Sequence, residues 1–331
     1  MNEPIFIARQ DTLEQEILPA HWLAQYKLFG EESYTFQDKE IWKKLCMSRA
    51  AANDRDIHAE ALEEMLTTFS AEHTGKWMLL IYGLDAAVLE GLATMAAIAA
   101  NGTAMAAVAG NALLMHAITN SQTAMRAIAN SETAMQRIAN STTAMDAIGG
   151  SKIARDAVQA SPYYDAKIKE NDMAIAKLVV GFANLESARY SGCAGMAADS
   201  TAMTAVAASS TAMTAVAASA TAMGKIAAVD AALSKLAAST TAMDTLYARK
   251  KQMKGGSASK SGKFIILEIS ASNAFNTSKY GYATLSDGSK PDWSSYLAKY
   301  AFFRQYPKYA TYMLNDTDSD DYIYYFDIAS P

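Results

Sequence analysis

The chain has 331 residues, of which 51% are hydrophobic and 19% charged, and its formal net charge is −5. This composition excludes a solvated disordered chain, which would be poor in apolar residues. The negative charge argues against nucleic acid as the main partner, because phosphate binding needs clustered Lys and Arg. Two distant cysteines, Cys46 and Cys193, show no metal-binding spacing and are typical of synthesis in a reducing compartment.

Residues 1–90 carry no repeat, and their pattern predicts a helical head. Candidate helices run over about 37–51, 54–69 and 76–92. Aromatic residues such as Trp42 supply large apolar side chains for a small core. No basic segment followed by an apolar core opens the chain, so we expect no secretory signal.

From residue 91 to residue 248 the sequence is built on a ten-residue phrase, Ser-x-Thr-Ala-Met-x-Ala-Ile/Val-Ala-x. The phrase is almost verbatim at 121–130, 131–140, 209–218 and 219–228. Such a strict period predicts a stack of identical small units.

The repeats fall into two blocks, 91–190 and 199–248. Between them the methionine column shifts by two residues. We therefore predict a phase break at 191–198, where the chain bends or changes its packing partner.

Composition and spacing favour one short helix in each repeat. A continuous helix is disfavoured, because ten residues turn through about 1000°, about 80° less than three full turns, and the apolar stripe would drift. A β-solenoid is disfavoured because Ala and Met are weak strand formers. Ser121 and Ser131 stand where helix N-caps are needed, and Asn130 and Asn140 stand where helices end.

Helices of this length are unstable alone, so the Met and Ile or Val side chains of neighbouring repeats must bury against one another. The fold class is therefore predicted as mostly α, an elongated solenoid of short repeated helices between the helical head and a small β-rich C-terminal domain. A metal role for the methionines is disfavoured, since thioether sites need Met clustered with Cys or His. The predicted core positions are Met105, Met125, Met135, Met145, Ile128, Ile138, Ile148, Met203, Met213, Met223, Val206 and Val216.

The stretch 91–115 carries no charge but is dominated by Ala, Gly, Thr and Asn, which gain little from lipid. The same pattern continues beyond it with charged residues inserted. We expect a repeat stack there and no membrane span.

Residues 249–262 are rich in Gly, Ser and Lys and are predicted to form a linker. Residues 263–331 are predicted to form a Tyr-rich tip domain with strands at 263–270 and 322–328. Tyrosine combines a large contact area with a hydroxyl, which suits sugar or protein surfaces. The alternative is that the tyrosines only cover a thin β-core. The candidate ligand-binding residues are Tyr280, Tyr282, Tyr296, Tyr306, Tyr309, Tyr322 and Tyr324.

One motif in the tip has the spacing of site chemistry. Asp316, Asp318 and Asp320 alternate like the start of an EF-hand loop, with Asp327 at its twelfth position. However, Asp321 stands where that loop needs Gly, and a strand follows instead of a helix. The pattern favours a polar turn, with a Ca²⁺ site as the alternative, and no other cofactor is expected. No catalytic motif stands out, so we expect no enzyme activity.

The phrase Thr-Ala-Met-x-Ala-Ile/Val-Ala-x-Ser, as in 123–131 and 211–219, resembles repeats of tailed-bacteriophage tail fibres and related virion structural proteins. The resemblance covers the middle half of the chain. It implies a protein of the virion, assembled in the host cytoplasm, with a virion-docking head, a repetitive shaft and an exposed tip. It also implies a homo-oligomer, with a trimer favoured, that contacts other virion proteins.

On this basis we expect a tail fibre or host-attachment protein whose tip binds a host surface glycan or protein. One alternative is a purely architectural collar, baseplate or capsid-decorating protein without a host ligand. Another is a tip depolymerase, which would need two carboxylates converging on a bound sugar.

Overall fold

A computed structural model of the protein describes residues 84, 88, 92, 95–270, 280–293, 297–316 and 321–331. The chain divides into two compact units, Met1–Tyr164 and Asp165–Pro331. The described part is mostly helical and ends in an antiparallel sheet of six strands. The predicted head lies outside the described residues except for positions 84 and 88.

The first unit is a succession of short helices, one in each ten-residue repeat. Each begins one residue after a repeated capping position, so the prediction of one short helix per repeat is confirmed for the described residues. The helices are Met95–Ala100 (α1), Gly102–Gly110 (α2), Ala112–Thr119 (α3), Gln122–Ala129 (α4), Glu132–Ala139 (α5), Thr142–Gly150 (α6) and Lys152–Gln159 (α7). A four-residue helix, Tyr164–Lys167 (α8), spans the boundary between the units.

The repeated serines make two hydrogen bonds each. Ser141 Oγ accepts the N–H of Ala144 at 3.1 Å, which caps α6, and donates to the carbonyl oxygen of Ala109 at 2.6 Å. Ser131, Ser151 and Ser161 likewise donate to carbonyls 32 residues earlier, at 2.5 to 2.7 Å. Each hydroxyl thus satisfies one donor at the start of a helix and one acceptor at the end of an earlier one.

This double role makes a test at Ser141. Ser141→Ala removes both bonds and is expected to lower the free energy of unfolding by about 2 kcal/mol. Ser141→Thr keeps both bonds. Ser141→Asp keeps only the accepted bond and places a carboxylate against the Ala109 carbonyl.

We expect the order of stability to be Ser, Thr, Asp and Ala at this position, measured by denaturant unfolding and by hydrogen exchange of the Ala144 amide. The control is Thr142→Ala at the neighbouring exposed position, with an effect within about 0.5 kcal/mol. An Asp variant as stable as the parent would show that capping alone accounts for the serine.

Within this unit each helix packs against the next helix and also against the helix three places along. The pairs separated by three places are α1 with α4, α2 with α5, α3 with α6, and α4 with α7. The predicted core residues of this block have 0% exposure, at Met105, Met125, Met135, Met145, Ile128, Ile138 and Ile148. Met and Ile therefore fill the space that these helices enclose.

The second unit begins with the same arrangement and keeps it up to the sheet. Its helices are Asp172–Phe182 (α9), Cys193–Ala198 (α10), Ser200–Ala208 (α11), Ser210–Ala218 (α12), Ala220–Ala227 (α13), Asp230–Ala238 (α14) and Thr240–Ala248 (α15). Again each helix packs against the one three places along, as α9 does with α12 and α12 with α15. Met203, Met213, Met223, Val206 and Val216 have 0% exposure.

The phase break lies earlier than the predicted segment 191–198. Most of that segment is the regular helix α10, in which Cys193 and Met196 are buried where other repeats place Met and Val. The irregular part is 183–192, which contains a 3₁₀ helix at Ser187–Arg189. The buried Lys177 donates from Nζ to the Ser187 carbonyl at 3.1 Å, which ties this segment to α9.

The segment 249–262, predicted as a linker, is instead part of the sheet. The strands are Lys251–Lys254 (β1), Ala258–Ser270 (β2), Tyr280–Leu285 (β3), Asp292–Trp293 (β4), Ala310–Asp316 (β5) and Tyr322–Asp327 (β6), in the order β1-β6-β2-β5-β3-β4. All the pairings are antiparallel. The Gly and Ser residues supply the turn between β1 and β2, where Gly256 has φ 94°.

One face of the sheet carries its own apolar core. A short helix, Ala301–Gln305 (α16), contacts β2 and adds Phe302 to this core. Trp293 packs so closely over Gly281 that a Cβ there would lie 2.1 Å from the indole nitrogen. The main core residues are Phe264, Ile266, Ile269, Ala283, Leu285, Trp293, Phe302, Met313, Ile323 and Tyr325.

The sheet also contacts the last two helices of the second unit. Tyr247 of α15 donates to Glu268 of β2 at 2.5 Å, and Lys308 Nζ lies 2.7 Å from the Asp230 carboxylate of α14. Helix α14 contacts α16, and α15 contacts β6. Terminal repeats need a cover for their apolar end, and the sheet lies where such a cover is needed.

None of the described helices is by itself long and apolar enough to cross a bilayer. The pair α11 and α12 reaches that length and composition only jointly, across a bend of 101°.

Candidate functional site

The predicted ligand-binding tyrosines do not form one cluster. Tyr296 lies outside the described residues, and Tyr280 contributes only its backbone position in β3. Tyr306 packs against the sheet core, 5.2 Å from the Phe302 ring. Tyr309 lies beneath Lys263 Nζ at 5.6 Å.

The other three predicted tyrosines lie on the sheet face opposite the core and form two separate groups. Tyr282 of β3 pairs with Tyr312 of β5, at 5.7 Å between ring centroids. Tyr322 and Tyr324 of β6 lie 6.2 Å apart with their rings inclined by only 23°. All of these side chains are half-buried.

The second group is flanked by polar and basic residues from β1 and the residue before it. Gln252 is directly opposite Tyr324 and Lys254 directly opposite Tyr322, so their side chains share a face. Lys250 Nζ lies 5.6 Å from the Tyr324 ring centroid. We call Lys250, Gln252, Lys254, Tyr322 and Tyr324 the tyrosine–lysine face.

Tyr247 and Glu268 border this face. The Tyr247 ring lies 6.4 Å from Tyr324, and Lys250 Nζ lies 4.1 Å above it. Burial and the hydrogen bond to Glu268 raise the pKa of the Tyr247 hydroxyl, so this group remains a donor at neutral pH. Glu268 is opposite Tyr324 in the register and adds a carboxylate to the same border.

A neighbouring group holds α15 against the sheet. Tyr300 donates its hydroxyl to Asp244, and Lys299 Nζ lies 3.2 Å from the same carboxylate. These hydrogen bonds lower the pKa of Asp244 below its usual range, so the carboxylate stays charged at neutral pH. The arrangement joins helix to sheet, and its carboxylate is already occupied.

The predicted calcium motif is described only in part. Asp316 ends β5 and accepts a hydrogen bond from Ser257, while Asp318 and Asp320 lie outside the described residues. Within the described ranges, no three His, Cys, Asp or Glu side chains come together as a metal site. Calcium binding there stays a prediction.

The first unit has a shallow groove of about 440 Å³ whose lining residues come from α4, α7 and the turns that follow them. It contains Arg126, Asp156 and the side chain of Ile153, which is 42% exposed. Its two charges have opposite signs and sit on an open surface. The groove therefore shows no preference for a ligand class.

The sequence matches no protein-family model and has no significant similarity to a curated protein. The candidate site therefore stands on its geometry. Sequence reasoning found Tyr322 and Tyr324 but missed their neighbours Lys250, Gln252 and Lys254, because it treated 249–262 as a linker. The alternation of Lys, Gln and Lys at 250, 252 and 254 was the available signal for a strand with one polar face.

Proposed function

We propose that this chain is a bacteriophage virion structural protein, a tail fibre or host-attachment protein that presents a C-terminal recognition module on a helical scaffold. The observation that carries the proposal is the repeated corner, in which a serine both caps its own helix and bonds to a carbonyl 32 residues earlier. The same corner recurs in the second unit, where Ser239 donates to Ala207. Identical corners at a fixed interval suit a protein whose task is to span distance.

These corners support an elongated solenoid with three helices in each coil. Packing between helices three places apart and hydrogen bonds over 32 residues both favour a coil of about thirty residues. The bend of 101° between α11 and α12 agrees, because three turns of that size nearly return the chain to its starting direction. Each coil would bury the side chains of Met and Ile or Val at its centre.

The sheet supports the second part of the proposal. Its inner side contacts α14 and α15, while the tyrosine–lysine face leaves Lys250, Gln252 and Lys254 exposed. Aromatic rings with exposed polar neighbours suit a host surface glycan or protein.

The architectural alternative has its own support. The contacts of Tyr247 with Glu268 and of Lys308 with Asp230 fix the sheet on the last helices, as a simple cap requires. In that case the tip tyrosines would only cover the sheet. Both versions place the protein in the virion beside other virion proteins, and a homo-oligomer, with a trimer favoured, belongs to both.

The test uses the full chain. Electron microscopy and light scattering of the purified protein should show a rod and give its subunit number, and the labelled protein should bind whole bacterial cells and isolated surface glycans. A rod that binds neither cells nor glycans would favour the architectural alternative. A globular particle would contradict the scaffold.

A further inference from the structure

The tyrosine–lysine face offers two flat rings side by side. Tyr322 and Tyr324 are two residues apart on β6, which puts them on the same side of the strand. Their planes differ by 23°, so they present one nearly continuous apolar surface. Such a surface fits the C–H face of consecutive pyranose rings, which is flat and apolar while the ring edges carry hydroxyls.

Cations stand beside these rings at the spacing of adjacent strands. Lys254 is opposite Tyr322 in the register, and neighbouring strands lie about 4.8 Å apart. Lys250 Nζ is 5.6 Å from the Tyr324 ring on the same side. A six-membered sugar with a carboxylate on its ring carries its charge at a comparable distance from its stacking face. The charge complement of the face is thus a carboxylated sugar.

Acceptors on the same border favour a sugar over nucleic acid. Gln252 is exposed between the two lysines, and Glu268 lies opposite Tyr324. Amide and carboxylate oxygens accept hydrogen bonds from sugar hydroxyls. A carboxylate beside the rings would repel a phosphodiester backbone, whose binding depends on uninterrupted positive charge.

We propose that the tyrosine–lysine face binds an acidic polysaccharide containing carboxylated pyranoses. Their rings stack on Tyr322 and Tyr324, and their carboxylates pair with Lys254 and Lys250. The inference rests on the proposed function, since it names the ligand class of the recognition module.

The test measures binding of the full chain to a panel of carboxylated glycans that includes oligogalacturonate and sialylated oligosaccharides. The methyl ester of oligogalacturonate keeps the ring and loses the charge, so it is the matched ligand. We expect at least one carboxylated glycan to bind about tenfold more tightly than its neutral counterpart, with the difference shrinking at high salt.

The variants separate the face from the rest of the surface. Lys254→Gln is expected to weaken binding about fivefold and Tyr322→Leu about tenfold, whereas Lys290→Gln, an exposed cation on a distant turn, stays within about twofold. Thermal unfolding of each variant checks that the sheet is intact. Because Lys254 is exposed on an edge strand, its variant keeps the test valid even if Tyr322→Leu is unstable.

Equal binding of the methyl ester, or an unchanged Lys254→Gln variant, would overturn the inference, as would binding of polyphosphate or DNA as tight as that of the best glycan. If no carboxylated glycan binds while whole cells or neutral glycans do, the ligand class is wrong and the proposed function stands. Absence of binding to cells and to all glycans would remove both.

Discussion

A variant that lacks residues 131–140 is expected to fold with a mean helicity and a thermal midpoint close to those of the parent chain. The deletion joins Asn130 directly to Ser141, which restores the Asn-Ser junction found in the intact repeats. In the shortened chain the residue 32 positions before Ser141 is Ala99, the carbonyl that Ser131 uses in the parent. The Met and Ile columns stay in phase.

Deletion of the five residues 131–135 is the matched control and is expected to unfold the first repeat block. It places Gln136 at the capping position and Asn140 where a fully buried methionine belongs. An unsatisfied buried amide and an empty core position together destabilise by several kcal/mol.

Circular dichroism, thermal unfolding and hydrogen exchange of the block should separate these two deletions clearly. If both variants were equally damaged, ten residues would not be the structural unit of the stack.

The local features of the repeat were predictable from sequence, because they depend on nearby residues. Serine caps, helix length and the buried Met and Ile columns all follow from one repeat and its neighbour. The hydrogen bond from Ser141 to Ala109 was not predictable, since its partner is set by the angle at each corner and by how many helices make a coil. No residue type in the phrase encodes that angle by itself.

The same distinction explains the error at 249–262. Gly, Ser and Lys are typical of tethers, and each has a second use in an edge strand. Lys251 and Lys254 give β1 charged side chains, which discourage pairing with another chain, and the glycines supply the turn before β2. The decisive contact is the pairing of β1 with β6, more than sixty residues away in the sequence.

The candidate site was predicted by residue type but not by arrangement. The abundance of tyrosine indicated a recognition surface, yet it did not distinguish Tyr306, which packs on the core, from Tyr322, which faces away from it. Register decides that difference, and a shift of one residue would exchange the two faces of a strand.

Met213→Ala is expected to lower the free energy of unfolding of the second unit by about 2 to 5 kcal/mol. Met213 has 0% exposure in α12, and α12 packs against both α9 and α15. Truncation leaves a cavity that the surrounding helices cannot close, because each is fixed at its corners by serine hydrogen bonds such as those of Ser209. The loss should therefore stand near the upper end of the range for buried methionine.

Two controls share the helix with this variant. Thr214→Ala removes an exposed side chain and is expected to change stability by no more than about 0.5 kcal/mol. Met213→Leu conserves the volume and is expected to lose less than about 1.5 kcal/mol. Denaturant unfolding followed by circular dichroism measures all three. Equal stability of the Ala and Leu variants would mean that the methionine column does not fill a packed core, and the stack would then need another source of cohesion.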